Sequence, residues 1–276
     1  MYRVQGKKLT GLNKLKDKYS SETAIICCSG TTMEDYDDSI PPREWKRIAV
    51  NEAIKGLGES ADFWVLSDRE IVLQYAKYCP KNTTVLAMND AVSVIEKHCR
   101  DQTVYTVESM AKPKDYTNGY EFFSRGTVAI GAVEMARWMG ISRMFFFGLD
   151  CYRKKDQYYY DGRRPQFASE HLLIDKERIR GTPPKVVIYC TARLKRMVEK
   201  LNLARESGLW DKLELWCVNS PYSQQKAIKK MTIEEFKKEV EIESSRRRKR
   251  GRPKKSLSES EVPEENFEVN EAEEDT

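Results

Sequence analysis

Short apolar runs, each closed by small polar or acidic residues, recur along this chain and leave little choice of fold class. Thr23–Cys28 is followed by Ser29-Gly30-Thr31-Thr32, Arg47–Val50 by Asn51, and Ala61–Leu66 by Ser67-Asp68. Thr83–Met88 runs into Asn89-Asp90, and Thr103–Val107 is flanked by loops. Met144–Phe147 runs into Gly148-Leu149-Asp150, and Leu213–Val218 into Asn219-Ser220-Pro221-Tyr222. Runs so short and so apolar are strands covered on both faces. Helical spacing lies between them. Val128, Ala132, Met135, Ala136 and Met139 share one face, with Gly140 at the position of a helix C-cap glycine. Val187, Cys190, Leu194, Met197 and Leu201 recur at three and four, predicting a helix over Pro184–Arg205 that Gly208 ends. Strands alternating with helices predict an α/β fold: a doubly wound, mostly parallel Rossmann-like sheet whose C-terminal edge lines one cleft.

With 276 residues, 40% of them hydrophobic, the chain supports a sizeable core. No run approaches the ~18 apolar residues of a membrane span, and the first residues lack the apolar stretch of a secretory signal. The seven cysteines (27, 28, 79, 99, 151, 190 and 217) are scattered without a CxxC pair, which predicts reduced thiols in a cytoplasm. Two histidines, His98 and His171, argue against a His-based zinc centre. The expected organisation is a polar lead-in over 1–22, a nucleotide-binding domain over 23–225, a lid over about 152–184, a charged helix over 226–245, a basic segment over 246–255 and an acidic tail over 256–276.

The turn Ser124-Arg125-Gly126 opens a helix, so it offers backbone N–H groups and a cation to a phosphate. Ser29, Gly30 and Thr31 form a small turn after the first strand, the usual start of a nucleotide-binding unit. Asn51 closes the second strand with a neutral amide, which reads a base or ribose as donor and acceptor or else caps the next segment.

The order of a small polar residue, Gly and an apolar helix, then Gly-Leu-Asp-x-Tyr at 148–152, resembles bacterial sialyltransferases of the Campylobacter type (family 42). It is also similar to the DUF115-like and motility-accessory glycosyltransferases of bacteria and phages. The resemblance covers about residues 22–225. It implies that the turn at Ser29, Asn51 and the helix start at Ser124 contact the nucleotide of a nucleotide-sugar donor. It further implies that Tyr152 and one of Tyr158, Tyr159 or Tyr160, with Tyr159 central among them, reach the donor phosphate from the lid. The chain departs from the pattern at Ser29, where those enzymes carry Asn, and at Arg125, where they carry Ser.

Glycosyl transfer without a metal needs a base for the acceptor's proton and charge to hold the leaving phosphate. The resembling enzymes use a lid histidine before the helix that starts near Pro184; here Arg178, Arg180, Thr182 and Pro183 occupy that stretch. His171, upstream, is the nearest histidine, and Asp150 and Asp161 are alternative bases. No metal and no cofactor beyond the donor substrate is expected.

The tail is a separate module in sequence. Thr232–Glu243 is a charged helix in which Thr232 and Glu235 form a capping box. Residues 246–255 hold eight Lys/Arg and no acid, and 256–276 hold nine Asp/Glu and no Lys/Arg. Within the basic run, Arg250-Gly251-Arg252-Pro253 matches the core of the AT-hook, an extended peptide that enters the narrow A·T minor groove. A polybasic patch for RNA or anionic lipid has the same charge.

Together these features point to a nucleotide-sugar glycosyltransferase that binds DNA, acting on a hydroxylated DNA base as phage DNA-modification systems require. Two other classes share the residues. One is a DUF115-like pterin or nucleotide pyrophosphokinase, with a divalent metal on Asp68, Asp90 and Asp150. The other is a non-catalytic DNA-binding protein on the same fold. Donor sugar, acceptor and oligomeric state are not encoded in any motif of the chain.

Overall fold

The computed structural model describes residues 12–107, 109, 110, 122, 123, 127–150, 153, 154, 173–178, 187–208, 210–220 and 225–250. Its centre is an eight-stranded sheet. In chain order the strands are β1 (Thr23–Cys27), β2 (Lys46–Val50), β3 (Phe63–Leu66), β4 (Thr84–Met88) and β5 (Thr103–Val107). A two-residue pair follows, β6 (Ser109–Met110) with β7 (Phe122–Phe123), outside the main sheet. Next come β8 (Arg143–Phe147), β9 (Arg153–Lys154), β10 (Leu173–Arg178), β11 (Val187–Thr191), β12 (Glu214–Val218) and β13 (Lys229–Met231). The sheet order is β13-β12-β8-β1-β2-β3-β4-β5, and every neighbouring pair is parallel. This is the doubly wound architecture that the alternation of apolar runs and helical spacing predicts.

Side chains alternate across a strand, so each apolar run feeds two cores. Ile26, Ile48, Val50, Val65, Leu86, Met88, Met144 and Phe146 pack on one face. Ile25, Ala49, Trp64, Leu66, Val85, Ala87, Phe145 and Phe147 pack on the other. The helices are α1 (Ile54–Leu57), α2 (Arg69–Tyr75), α3 (Ile95–His98), α4 (Val128–Trp138), α5 (Ala192–Glu206) and α6 (Ile233–Arg250). Helices α4 and α5 cover the first face, the latter through Val198, Leu201 and Ala204. Helices α1, α2, α3 and α6 cover the second.

Helix α4 ends as its glycine predicts. Gly140 adopts a φ of 85°. Ile141 N donates to Ala136 O at 2.9 Å and Gly140 N to Arg137 O at 3.0 Å, the paired bonds of a Schellman motif. The capping box at the start of α6 is also formed: Glu235 N donates to Thr232 Oγ1 at 3.1 Å, and Thr232 N to Glu235 Oε2 at 2.7 Å.

The structure departs from the sequence reading in five places. The expected helix over Pro184–Arg205 is β11 followed by α5, because Val187–Thr191 pairs antiparallel with β10. Part of the expected lid is ordered: β9, β10 and β11 form a small antiparallel sheet in the order β10-β11-β9. The lead-in contributes to the core, with Leu12 and Leu15 buried and Trp138 Nε1 donating to Leu12 O at 3.0 Å. Strand β12 is not the last, since β13 pairs beside it. The helix assigned to the tail belongs to the domain: Phe236 and Val240 lie in the second core, and Arg143 pairs with Glu239 at 2.6 Å. The domain therefore extends well past residue 225. The same helix runs into the basic segment as far as Arg250. Among the described residues, no helix is long and apolar enough to cross a membrane.

Candidate functional site

The chain steps outward from β1 through β2 to β5 on one side, and from β8 through β12 to β13 on the other. The reversal lies between β1 and β8, which pair from Thr23↔Arg143 to Cys27↔Phe147. Beyond the C-terminal ends of two such strands the outgoing loops diverge and leave a crevice, the usual ligand position in an open parallel sheet.

Two glycines make the floor of that crevice. The ladder continues past the strands, with Cys28 N donating to Phe147 O at 2.7 Å and Gly30 N to Gly148 O at 2.8 Å. A Cβ on Gly30 would sit 2.5 Å from Gly148 O and 2.7 Å from Asp150 Oδ2. Gly148 has a φ of 71°, and a Cβ there would run into the Cys28 carbonyl. Any side chain at either position would force the two loops apart.

Asp150 locks the loops together. It is 2% exposed. Its Oδ2 accepts from Thr31 Oγ1 at 2.9 Å and from Thr32 N at 2.9 Å. Its Oδ1 accepts from the Thr32 hydroxyl, and that hydroxyl oxygen accepts from Gly148 N at 3.0 Å. Burial pushes the Asp150 carboxyl above the usual carboxylate range, while the hydrogen bonds from Thr32 and Thr31 pull the other way. Ser220 Oγ donates to Asp150 O at 3.4 Å, so the end of β12 closes over the same loop.

The β2 side supplies the rim. Ser29 Oγ donates to Glu52 Oε2 at 2.9 Å, and Glu52 is 5% exposed. Asn51 adopts a φ of 51°, in the left-handed region. Its carbonyl accepts from Trp64 Nε1 at 2.8 Å. Its side-chain Oδ1 is buried with no hydrogen-bond partner. A strained backbone that aims an unsatisfied carbonyl at a strand end is a device found at ligand sites.

Of the sequence candidates, Ser29, Gly30, Thr31, Asn51 and Asp150 thus meet around one crevice. Ser124, Arg125, Gly126, Tyr152, Tyr159, Asp161 and His171 lie outside the described residues, as do Gly251, Arg252 and Pro253; the backbone of Arg250 closes α6. Among the described residues, no three His, Cys, Asp or Glu side chains converge as metal ligands, and Asp68, Asp90 and Asp150 form no such cluster. Thr32 and Glu52 are the working residues that spacing left unassigned. Thr32 is 118 residues from Asp150 in sequence, so no local pattern connects them. A second conformational outlier, Asn219 with a φ of 55°, joins two elements. Its Nδ2 donates to Asp35 Oδ2 at 3.1 Å, and its Oδ1 accepts from Ile233 N at 3.0 Å at the start of α6.

No family model matches the sequence, and no curated protein matches it significantly. Among solved structures, the chain is similar to the sialyltransferase CstII from Campylobacter jejuni in complex with a substrate analogue, cytidine-5'-monophosphate. Identity is 12%, the TM-score is 0.41, and the alignment covers 72% of this chain and 80% of that one. A tyrosine-to-phenylalanine variant of that sialyltransferase in complex with CMP aligns at 12% identity and a TM-score of 0.40, over 71% of this chain and 80% of that one. Likenesses of this depth say nothing of a shared site.

Proposed function

We propose that this chain is a glycosyltransferase that binds the nucleotide of a nucleotide-sugar donor in the crevice between β1 and β8. The observation that carries this reading is Asn51: a left-handed residue at the rim of the switch-point crevice, whose buried Oδ1 lacks a donor. A nucleobase amine or ribose hydroxyl supplies the missing hydrogen. The glycine floor lets backbone N–H groups approach the ligand closely. The sequence adds Ser124, Arg125 and Gly126 at the start of α4 as the phosphate end, with Tyr152 and Tyr159 in the lid.

Chemistry follows from which carboxylates are free to act. Both oxygens of Asp150 already accept hydrogen bonds from the β1 turn. Asp150 therefore holds the crevice in shape, and the proton of the acceptor falls to His171. The basic end of α6, continued by Arg250-Gly251-Arg252-Pro253, supports duplex DNA as the acceptor-bearing partner, through phosphate neutralisation and minor-groove insertion.

Isothermal titration with a panel of nucleoside mono- and diphosphates tests the reading. One nucleotide is expected to bind, and Asn51→Ala should weaken it by about 1–3 kcal/mol, the cost of an unmade buried hydrogen bond. Arg125→Ala should cost roughly 1.5–3 kcal/mol if the guanidinium holds a phosphate. His171→Gln should abolish transfer and spare donor binding. Absence of binding to every nucleotide in the panel removes the proposal. For the tail, Arg250→Ala with Arg252→Ala should flatten the preference for A·T-rich over G·C-rich duplex; equal affinity of the parent for both duplexes removes DNA as the partner.

A further inference from the structure

We propose that Cys79 and Cys99 are a redox-active pair that closes to a reversible intramolecular disulfide, stapling the loop before β4 to the loop before β5. The two thiols are hydrogen-bonded to one another. Cys79 follows the short turn Ala76–Tyr78 that extends α2, and Cys99 closes α3. The strands they lead into are neighbours, with Thr84 paired to Thr103. Their loops are already joined: Gln102 Nε2 donates to Cys79 O at 3.0 Å and to Pro80 O at 3.3 Å, and Lys81 pairs with Asp101 at 3.5 Å. Bridging the sulfurs therefore requires no approach of distant segments.

The pair differs from the other described cysteines. Cys27 and Cys217 lie within strands, with Cys28 directly after β1, and burial pushes all three thiols up. They are poor nucleophiles for that reason. Cys99 is shifted the opposite way, because the Cys79 thiol donates to it. That polarity assigns the roles. The Cys99 thiolate attacks a peroxide, breaking the O–O bond and forming a sulfenic acid while hydroxide leaves and takes up a proton. Cys79 then gives up its proton and attacks the sulfenic sulfur, expelling the hydroxyl as a second water. Two thiols and one hydrogen peroxide become one disulfide and two waters. The staple sits at the N-terminal end of the sheet, opposite the crevice.

The test uses the full chain, folded, treated with stoichiometric hydrogen peroxide. The intact mass should fall by about 2 Da, with one peptide pair linked through Cys79 and Cys99. Alkylation after unfolding should then label five of the seven cysteines instead of all of them. A thiol reductant should restore the mass and all seven labels. Cys79→Ser should leave Cys99 as a trappable sulfenic acid, and its circular dichroism shows whether it is folded. The linked-peptide result on the parent chain does not depend on any variant. Linkage through other cysteines, or Cys79 and Cys99 remaining alkylatable while the others oxidise, would overturn the proposal.

Discussion

Phe236 decides whether the charged C-terminal helix is part of the folded domain. Its ring is 1% exposed. It meets Phe145 at 5.2 Å, Phe147 at 5.2 Å and Trp45 at 6.4 Å between ring centroids, all edge-on. Removing a fully buried phenylalanine costs about 3–5 kcal/mol, the lost edge contacts included. A domain of this size shifts its midpoint by about 2–4 °C per kcal/mol. Phe236→Ala should therefore lower the thermal midpoint by about 6–20 °C, read by circular dichroism. Ile242→Ala, on the same helix but 43% exposed, should move it by less than about 2 °C, in line with surface substitutions. Ending the chain after Glu243 keeps Phe236 and Val240 and should also leave the midpoint nearly unchanged. Ending it after Gln225 removes β13 and both core residues, and should abolish cooperative unfolding. If Phe236→Ala melts with the parent, the helix does not pack where it is described, and the domain ends before it.

Other outcomes follow from the crevice and the second core. Gly148→Ala adds a Cβ in a left-handed backbone against the Cys28 carbonyl; it should cost about 1–3 kcal/mol in chemical denaturation and abolish nucleotide binding. Thr32→Val removes the hydroxyl that donates to Asp150 and accepts from Gly148 N, leaving a buried carboxylate oxygen and a buried N–H short of a partner, at a cost of about 1–3 kcal/mol. Glu134 is 1% exposed, and burial raises its carboxyl above the usual range despite Arg137. A raised carboxyl favours the fold at acid pH, and that contribution is lost as pH rises through its folded-state value. Glu134→Gln keeps an acceptor for Trp210 Nε1, so its unfolding free energy should gain on the parent's as pH rises from the acid side; parallel pH profiles would count against this.

The sheet was legible because its strands are apolar on both faces, a pattern that short helices do not carry. Thr103–Val107 agrees with the sequence reading end to end, and the others agree within a residue or two. The failures have physical causes. Val187 and Cys190 share helical spacing with residues of α5, yet antiparallel pairing with β10 makes them a strand; non-local pairing overrides periodicity. Strand β13 is Lys-Lys-Met, an edge strand whose lysines hide it from a search for apolar runs. Phe236 and Val240 are four apart in a charged segment, and that i, i+4 pair was the available sign of a buried face. At the crevice, Gly30, Asn51 and Asp150 were marked by their places at strand ends. Their partners were not, since Asp150 meets Thr32 and Ser29 meets Glu52 only through folding.

Clamping the last helix at one end has a mechanical consequence. Glu239 and Glu243 reach Arg143 at the foot of β8, and the helix then continues unbroken to Arg250, a rise of about 10 Å. A floppy leash sweeps a sphere and serves every target inside it. A rod fixed at its base serves one radius and one bearing. A polymer gripped by the cationic tip is thereby presented to the sheet at a set phase, and on a duplex that phase recurs about every 10 base pairs. Products spaced at the helical repeat would be the mark of such a ruler, and even spacing the mark of a leash.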